Sequence, residues 1–407
     1  MKLVKFNNGF EIYTKENKDA KTVTFSIYAK VGSFNEESHF GIAHFLEHMV
    51  FKGTTNRNAA QIIEDVENYG GVVNAETSFN YTRYYVTMPK EYWKKGADVI
   101  CDILFNSNFP EDEFKLEKKV VQEELKMYND NPESYVSELL FKEMFKSYPE
   151  RQTIGGTIDS VESITIQNLI DFKDKFYQPN NMFAVVTGNI NTEDVVEFLS
   201  FIKDIKNKNE SIDINNDFKP DILDSQTVTK RKNIEQSHLI WGLFVAPENN
   251  KESYALKVAS VILGGNASSR LYRIIREQKG LAYTVSTHYF SMIDCAIIEG
   301  YAGLESKSID EVKEIVVEQF EDLRNNLVSD EELNRAIAYF NGKQAIRLDN
   351  LTSINGYVGQ SIILGVSTDP EYHLEQIRNV TKQDIQNVAI KYFTPDNWQF
   401  AELLPIN

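Results

Sequence analysis

Cysteine is nearly absent from this chain: Cys101 and Cys295 are the only two in 407 residues, and they fall in different halves. That excludes a disulfide framework and a cysteine-rich metal cluster, and it fits a reducing compartment. Basic residues are in deficit. Lys and Arg number 43 against 60 Asp and Glu, a formal net charge of -17, which argues against a nucleic-acid partner and against an anionic membrane surface. Long apolar runs are missing as well; none approaches the ~18 residues a membrane-spanning helix needs. The start, Met1 to Phe10, has neither the apolar stretch of a secretion signal nor an Arg-rich amphipathic presequence. It reads as a strand entering a turn at Asn8-Gly9. The expected location is the cytoplasm. Histidine is scarce too, with six residues, so where it falls carries information.

Apolar residues make up 42% of the chain and aromatics 12%, enough for large cores in two or three domains. Val23 to Val31 alternates and is rich in β-formers, which predicts a strand. Helical spacing runs over Ala59 to Tyr69, Glu91 to Phe105, from Pro110 to about Tyr128, and over Tyr135 to Phe145, while Val72 to Met88 reads as a hairpin and Met182 to Thr187 as a strand. The polar stretch 206–222 reads as a linker between a domain at 1–205 and another at 223–407. The second half repeats the first. Thr165 leads to Pro179-Asn180-Asn181 as Thr381 leads to Pro395-Asp396-Asn397, at a constant offset of 216. Glu37-Ser38 likewise matches Glu252-Ser253, and at that offset of 215 the positions of His44, Glu47 and His48 hold Ala259, Ile262 and Leu263. The fold class expected is α+β, with two homologous sheet-plus-helices domains of which only the first keeps a polar helix.

That helix carries His44-Phe45-Leu46-Glu47-His48, the reverse of the H-E-x-x-H zinc motif. At about 100° per residue, His44 and His48 lie about 40° apart on neighbouring turns, where two imidazoles can share a tetrahedral cation. Glu47 falls about 60° from His44, close enough to take a proton from a water activated by the metal. The flanking residues are mostly apolar up to Gly53, so the helix is expected to be largely buried. Two His and a Glu on it then require a purpose.

A third ligand is needed. The helix after Pro110 offers Glu117 and Glu124, seven residues apart and so within about 20° of one meridian. Val120 and Val121 lie beside that stripe, making part of the face apolar. Periodicity leaves two assignments open: either carboxylate as the ligand, the other holding a His ring nitrogen.

These features together resemble the inverzincin peptidases of the pitrilysin/insulysin clan, and the two-domain length resembles their bacterial branch related to the mitochondrial processing peptidase. The resemblance covers the whole chain. It implies a LuxS/metallopeptidase-like fold and zinc, one ion per chain, held by His44, His48 and Glu124, with Glu47 as general base and Glu117 supporting the site. It implies that Asn74-Ala75 belongs to an edge strand that pairs with an extended peptide. Gly264 and Gly265 open a stretch similar to the glycine-rich loop lining the peptide chamber. Arg276 and Tyr283 match a pair that holds the substrate and hydrogen-bonds the developing oxyanion. The remaining histidines, His39, His238, His288 and His373, are read as structural.

The implied activity is zinc-dependent endopeptidase action on unstructured peptides or presequence-like segments. In longer single-chain relatives four such domains line up, with zinc in the first and the Arg/Tyr pair in the fourth. Two domains therefore correspond to half a chamber, and a homodimer is expected, or a pairing with a second chain of the same fold. A non-catalytic scaffold of this fold is the alternative, but such relatives typically lose the H-x-x-E-H residues, and here they are intact. A purely structural zinc would need a fourth protein ligand and would leave Glu47 without a use.

Overall fold

The computed structural model describes residues 1–148, 151–208 and 226–406. They fall into two units, each built around one antiparallel-dominated sheet. The stretch 206–222 read as a linker lies almost wholly outside the described residues.

The first unit takes the described parts of 1–126, 150–215 and 346–363. Its strands are β1 (Lys2–Lys5), β2 (Glu11–Glu16), β3 (Thr22–Ala29), β4 (Val72–Thr77), β5 (Thr82–Pro89) and β6 (Met182–Gly188), in the order β1-β2-β6-β3-β5-β4. Only β2 and β6 pair in parallel. Helices α1 (Ile42–Met49), α2 (Ala59–Glu67), α3 (Trp93–Phe105) and α4 (Glu111–Asp130) follow the predicted segments closely. The next, α5 (Pro132–Met144), belongs to the second unit; α6 (Ile166–Phe176) returns to the first. Strand β3 is central and buried on both sides. Phe25 and Ile27 enter the main core with Phe45, Leu46 and Ile100, whereas Thr24, Ser26 and Tyr28 face the other way and are also covered.

The second unit repeats this plan. Strands β7 (Gln226–Lys232), β8 (Ser237–Val245), β9 (Ala282–Ser291), β10 (Ala296–Leu304) and β11 (Gln399–Pro405) are ordered β7-β11-β8-β10-β9. Again one pair, here β7 and β11, is parallel and the rest are antiparallel. Removing β1 from the first sheet makes the two topologies identical, strand for strand. Helices α7 (Glu252–Gly264) and α8 (Ile309–Asn325) pack on one side of this sheet.

The 216-residue offset has a physical basis. Thr165 and Thr381 each cap a helix, α6 and α10 (Lys382–Tyr392), by accepting the N–H three residues on, a reciprocal box that satisfies otherwise unpaired donors. Asn181 then donates to the carbonyls of Phe176 and Lys30, and Asn397 donates to those of Tyr392 and Phe244. In both halves this side chain ties the helix end to the neighbouring strand and aims the chain into the sheet.

Each unit also takes one helix from the other half of the sequence. The second sheet is covered by α5, through Val136, Leu140 and Met144. The first is covered by α9 (Leu351–Ile363), which packs on β3 and β6. Asn355 of α9 is fully buried there. It donates to the carbonyls of Thr24 and Val185 and accepts from Ser26 and Arg83, so a polar group in an apolar layer is satisfied on every side.

Candidate metal centre

Helix α1 starts at Gly41, whose φ of 89° is left-handed, a conformation that costs glycine little. Just before it, Glu36 is buried and accepts the N–H of Gly41 at 2.7 Å and of Ala43 at 2.9 Å. Burial pushes its carboxyl up to about 8, against the two N–H groups that favour the anion. The helix buries Ile42, Ala43, Phe45, Leu46 and Met49, a set of apolar side chains worth roughly 1.5–3 kcal/mol each for the larger ones. His44, Glu47 and His48 are left on the opposite, half-buried face. A short 3-10 turn, Val50–Lys52, ends it at Gly53.

Helix α4 supplies the carboxylates. Its first turn is acidic, Glu111 to Glu113, as suits the positive end of a helix. Phe114, Glu117, Val121 and Leu125 form its buried stripe, so Glu117 occupies a position where spacing calls for an apolar residue. Of the two valines expected beside the acidic stripe, Val121 is buried but Val120 is 46% exposed; the apolar face is narrower than the sequence suggests, and Val120 lies on its solvent side.

The side chains converge. His48 Nε2 lies 3.3 Å from His44 Nε2, and Glu124 Oε2 lies 3.4 Å from the first and 3.9 Å from the second. For ligand atoms about 2.0–2.1 Å from a tetrahedral zinc, neighbours should be about 3.3 Å apart. The triangle fits that ion closely, and two His with one Glu leave the fourth position open, as catalytic zinc requires. Among the described residues this is the one group of three or more His, Cys, Asp or Glu ligand atoms so close together.

Glu117 stands behind the triangle. Its Oε1 is 2.8 Å from His48 Nδ1, and its Oε2 is 2.8 Å from Lys52 Nζ. Burial works to raise its carboxyl, but His48 and Lys52 overcome this and hold it below the usual range. A proton on Nδ1 fixes the tautomer that points the Nε2 lone pair at the other ligands. Between the two carboxylates left open by periodicity, Glu124 therefore reaches the Nε2 atoms and Glu117 the far side of His48.

The two rings differ electrostatically in the metal-free protein. Burial pulls His44 down to about 4. It also acts against the charged form of His48, but the hydrogen bonds to Glu117 and Glu124 outweigh it and push that ring up to about 9. Burial raises Glu47 against two opposing influences, the Thr77 hydroxyl, which donates to its Oε2 at 2.5 Å, and the charge of His48. A carboxylate raised in this way is a better proton acceptor than one in water.

Sequence reasoning did not single out Glu36, Lys52 or Thr77. Thr77 had a signal: in β4 the residues Val73, Ala75 and Thr77 alternate with exposed Val72, Asn74 and Glu76, so a hydroxyl falls in an inward position. Glu36 and Lys52 had none, since acidic and basic residues beside a helix normally meet solvent.

Asn74 and Ala75 lie on β4, the last strand of the first sheet, paired with β5 on one side only. The remaining expected site residues lie in the second unit. Arg276 sits in a π-helical turn, Tyr272–Gln278, with its guanidinium carbon 4.9 Å from the Tyr272 ring centre and 4.8 Å from that of Tyr283. Tyr283 is the second residue of β9 and is 75% exposed. Gly264 ends α7 against β9, where a Cβ would come within 2.4 Å of Thr287 Oγ1; one on Gly265 would meet Val261. Close packing thus accounts for both glycines. His238 bonds the Tyr301 hydroxyl, and His373 bonds the Tyr254 hydroxyl and the Ser367 carbonyl. His39 is partly buried and His288 exposed.

Residues 11–158 match the profile of the family described as Insulinase (Peptidase family M16), and residues 163–340 that of the Peptidase M16 inactive domain. The chain is 31% identical to an uncharacterized zinc protease of Bacillus subtilis, over 96% of this chain and 95% of the relative. A protease from Helicobacter pylori of known structure superposes with a TM-score of 0.93 at 25% identity, covering 99% of each chain. A peptidase M16 inactive domain from Pseudomonas fluorescens shares the fold, with a TM-score of 0.91 at 16% identity over 100% of this chain and 98% of that one. No helix among the described residues is long and apolar enough to cross a membrane.

Proposed function

The chain belongs to the insulinase family of peptidases, family M16, and from that premise we propose that it is a zinc-dependent endopeptidase acting on unstructured peptides or presequence-like segments. The observation that carries the reading is the convergence of His44 Nε2, His48 Nε2 and Glu124 Oε2 on the helix face that also bears Glu47. Zinc held there supplies a Lewis acid and lowers the pKa of water. The protein's own groups do the rest. Glu47 takes the proton from the attacking water and passes it to the leaving amine. Glu117 keeps His48 in its ligating tautomer. An extended substrate adds to the free side of β4 beside Asn74 and Ala75 by main-chain pairing.

The proposal includes one zinc per chain, a cytoplasmic location and a homodimer, in which Arg276 and Tyr283 of one copy serve the zinc site of the other. Tyr283 would donate to the developing oxyanion and Arg276 would hold the peptide; the exposure of Tyr283 suits such a contact. A closed chamber of two copies would admit a flexible chain and exclude a folded domain. The likeness of residues 163–340 to an inactive domain favours a second reading, a non-catalytic partner of the same fold, but that likeness covers the half that carries no metal ligands. Mass spectrometry of an unstructured peptide mixture incubated with the purified protein, with and without a chelator, tests the choice. New fragments that vanish with chelator are expected. Intact peptides in the presence of zinc would favour the partner reading.

A further inference from the structure

We infer that Thr77 is a positioning residue for the general base, and that the strand offered to the substrate is also the strand that aims Glu47. The inference rests on the peptidase reading above. Glu47 is held on a helix face by its backbone, but its carboxylate is at the end of a flexible side chain. The Thr77 hydroxyl donates to Oε2 at 2.5 Å, within the range of a strong charge-assisted bond. It does so from β4, in which Val73 and Ala75 pack against the core on the same face. Thr77 is the last residue of that strand, and its backbone is fixed opposite Thr82 in β5. The donor is therefore rigid where the acceptor is not.

Two consequences distinguish this arrangement from ordinary packing. The bond occupies one carboxylate oxygen and leaves the other to receive the proton of the attacking water. Its donor lies two residues from Ala75 on a strand whose outer side is free among the described residues. A peptide that adds to β4 therefore pairs with the same rigid element that carries the hydroxyl. Base and substrate are referred to one strand, so pairing of the peptide backbone sets the carbonyl and the carboxylate in a common frame.

Valine matches threonine in shape and suits a strand, so Thr77→Val removes the bond with little cost to the fold. A lost hydrogen bond to a charged group corresponds to about a 10- to 100-fold fall in kcat, with KM within about threefold and zinc content unchanged. Thr77→Ser keeps a hydroxyl and should turn over within about threefold of wild type. Crystal structures of the metal-free proteins give a readout independent of turnover: the Glu47 carboxylate should hold one position in wild type and Thr77→Ser and leave it in Thr77→Val. Wild-type turnover in Thr77→Val, or Thr77→Ser as slow as Thr77→Val, overturns the inference. So does an undisplaced carboxylate in Thr77→Val, whether or not the protein cleaves peptides. Absence of cleavage by zinc-loaded wild type would sink the peptidase reading instead.

Discussion

Zinc binding should compete with a proton on His48. In the metal-free protein burial disfavours the imidazolium, yet Glu117 and Glu124 push the ring up to about 9. Histidine ligates only when neutral. At pH 7 the ring is then mostly protonated, and displacing that proton costs a few kcal/mol, at ~1.4 kcal/mol per pH unit. The sign follows from the raised value: binding weakens as pH falls below it. Apparent zinc affinity should climb about tenfold per unit from pH 6 and level near pH 9, a gain of roughly 100-fold between pH 7 and 9. His44, already neutral above about 4, adds no slope in that range. Glu117→Gln sharpens the test. The amide keeps an acceptor for Nδ1–H but removes the anion, so affinity at pH 9 should fall about 10- to 100-fold. At pH 7 the loss should be smaller, because the competing proton is also held less tightly. Competition against a chelating indicator in zinc buffers at pH 6, 7, 8 and 9 measures both. Affinity that is flat from pH 7 to 9 in wild type would refute the assignment of a protonated His48.

Three further outcomes are expected. Glu124→Ala should lose zinc by elemental analysis; a full complement of metal would move the third ligand elsewhere. Glu47→Gln should keep zinc and peptide binding while turnover drops by orders of magnitude, and cleavage near the wild-type rate would remove Glu47 as the base. Glu47→Gln and Tyr283→Phe chains should each be poor alone, but mixed and re-paired at random they should recover about a quarter of wild-type activity, since half the dimers are mixed and each holds one intact site. If mixing restores nothing, Tyr283 does not serve the other copy.

Much of this was legible in the sequence, where local periodicity decides the structure. The spacing of His44, Glu47 and His48 fixes their shared helix face, and the Thr-to-Pro interval repeated at 216 residues marks the two halves because each copy needs the same cap and the same asparagine tie. Periodicity could not separate Glu117 from Glu124, which share a meridian. Their different roles come from where α4 lies against α1, a tertiary fact. Glu36 and Lys52 were invisible for a related reason: one works through burial and the other on Glu117, distant in sequence, and no local pattern reports either. Nor could spacing tell which sheet α5 and α9 would cover. Both have apolar faces, and an apolar face does not name its partner.

That exchange of α5 and α9 bears on how the molecule is made. During synthesis the strands of the first sheet leave the ribosome early, since β1 to β6 end at Gly188. The helix that covers them ends at Ile363. Until it arrives, Ser26, Arg83 and the carbonyls of Thr24 and Val185 lack the partner that Asn355 provides, and one side of the first sheet stays open to water. The unit begun first is thus among the last to be completed. A nascent chain carrying His44, His48 and Glu124 is held short of its finished form until Ile363 has been translated, well after all three of those residues have left the ribosome.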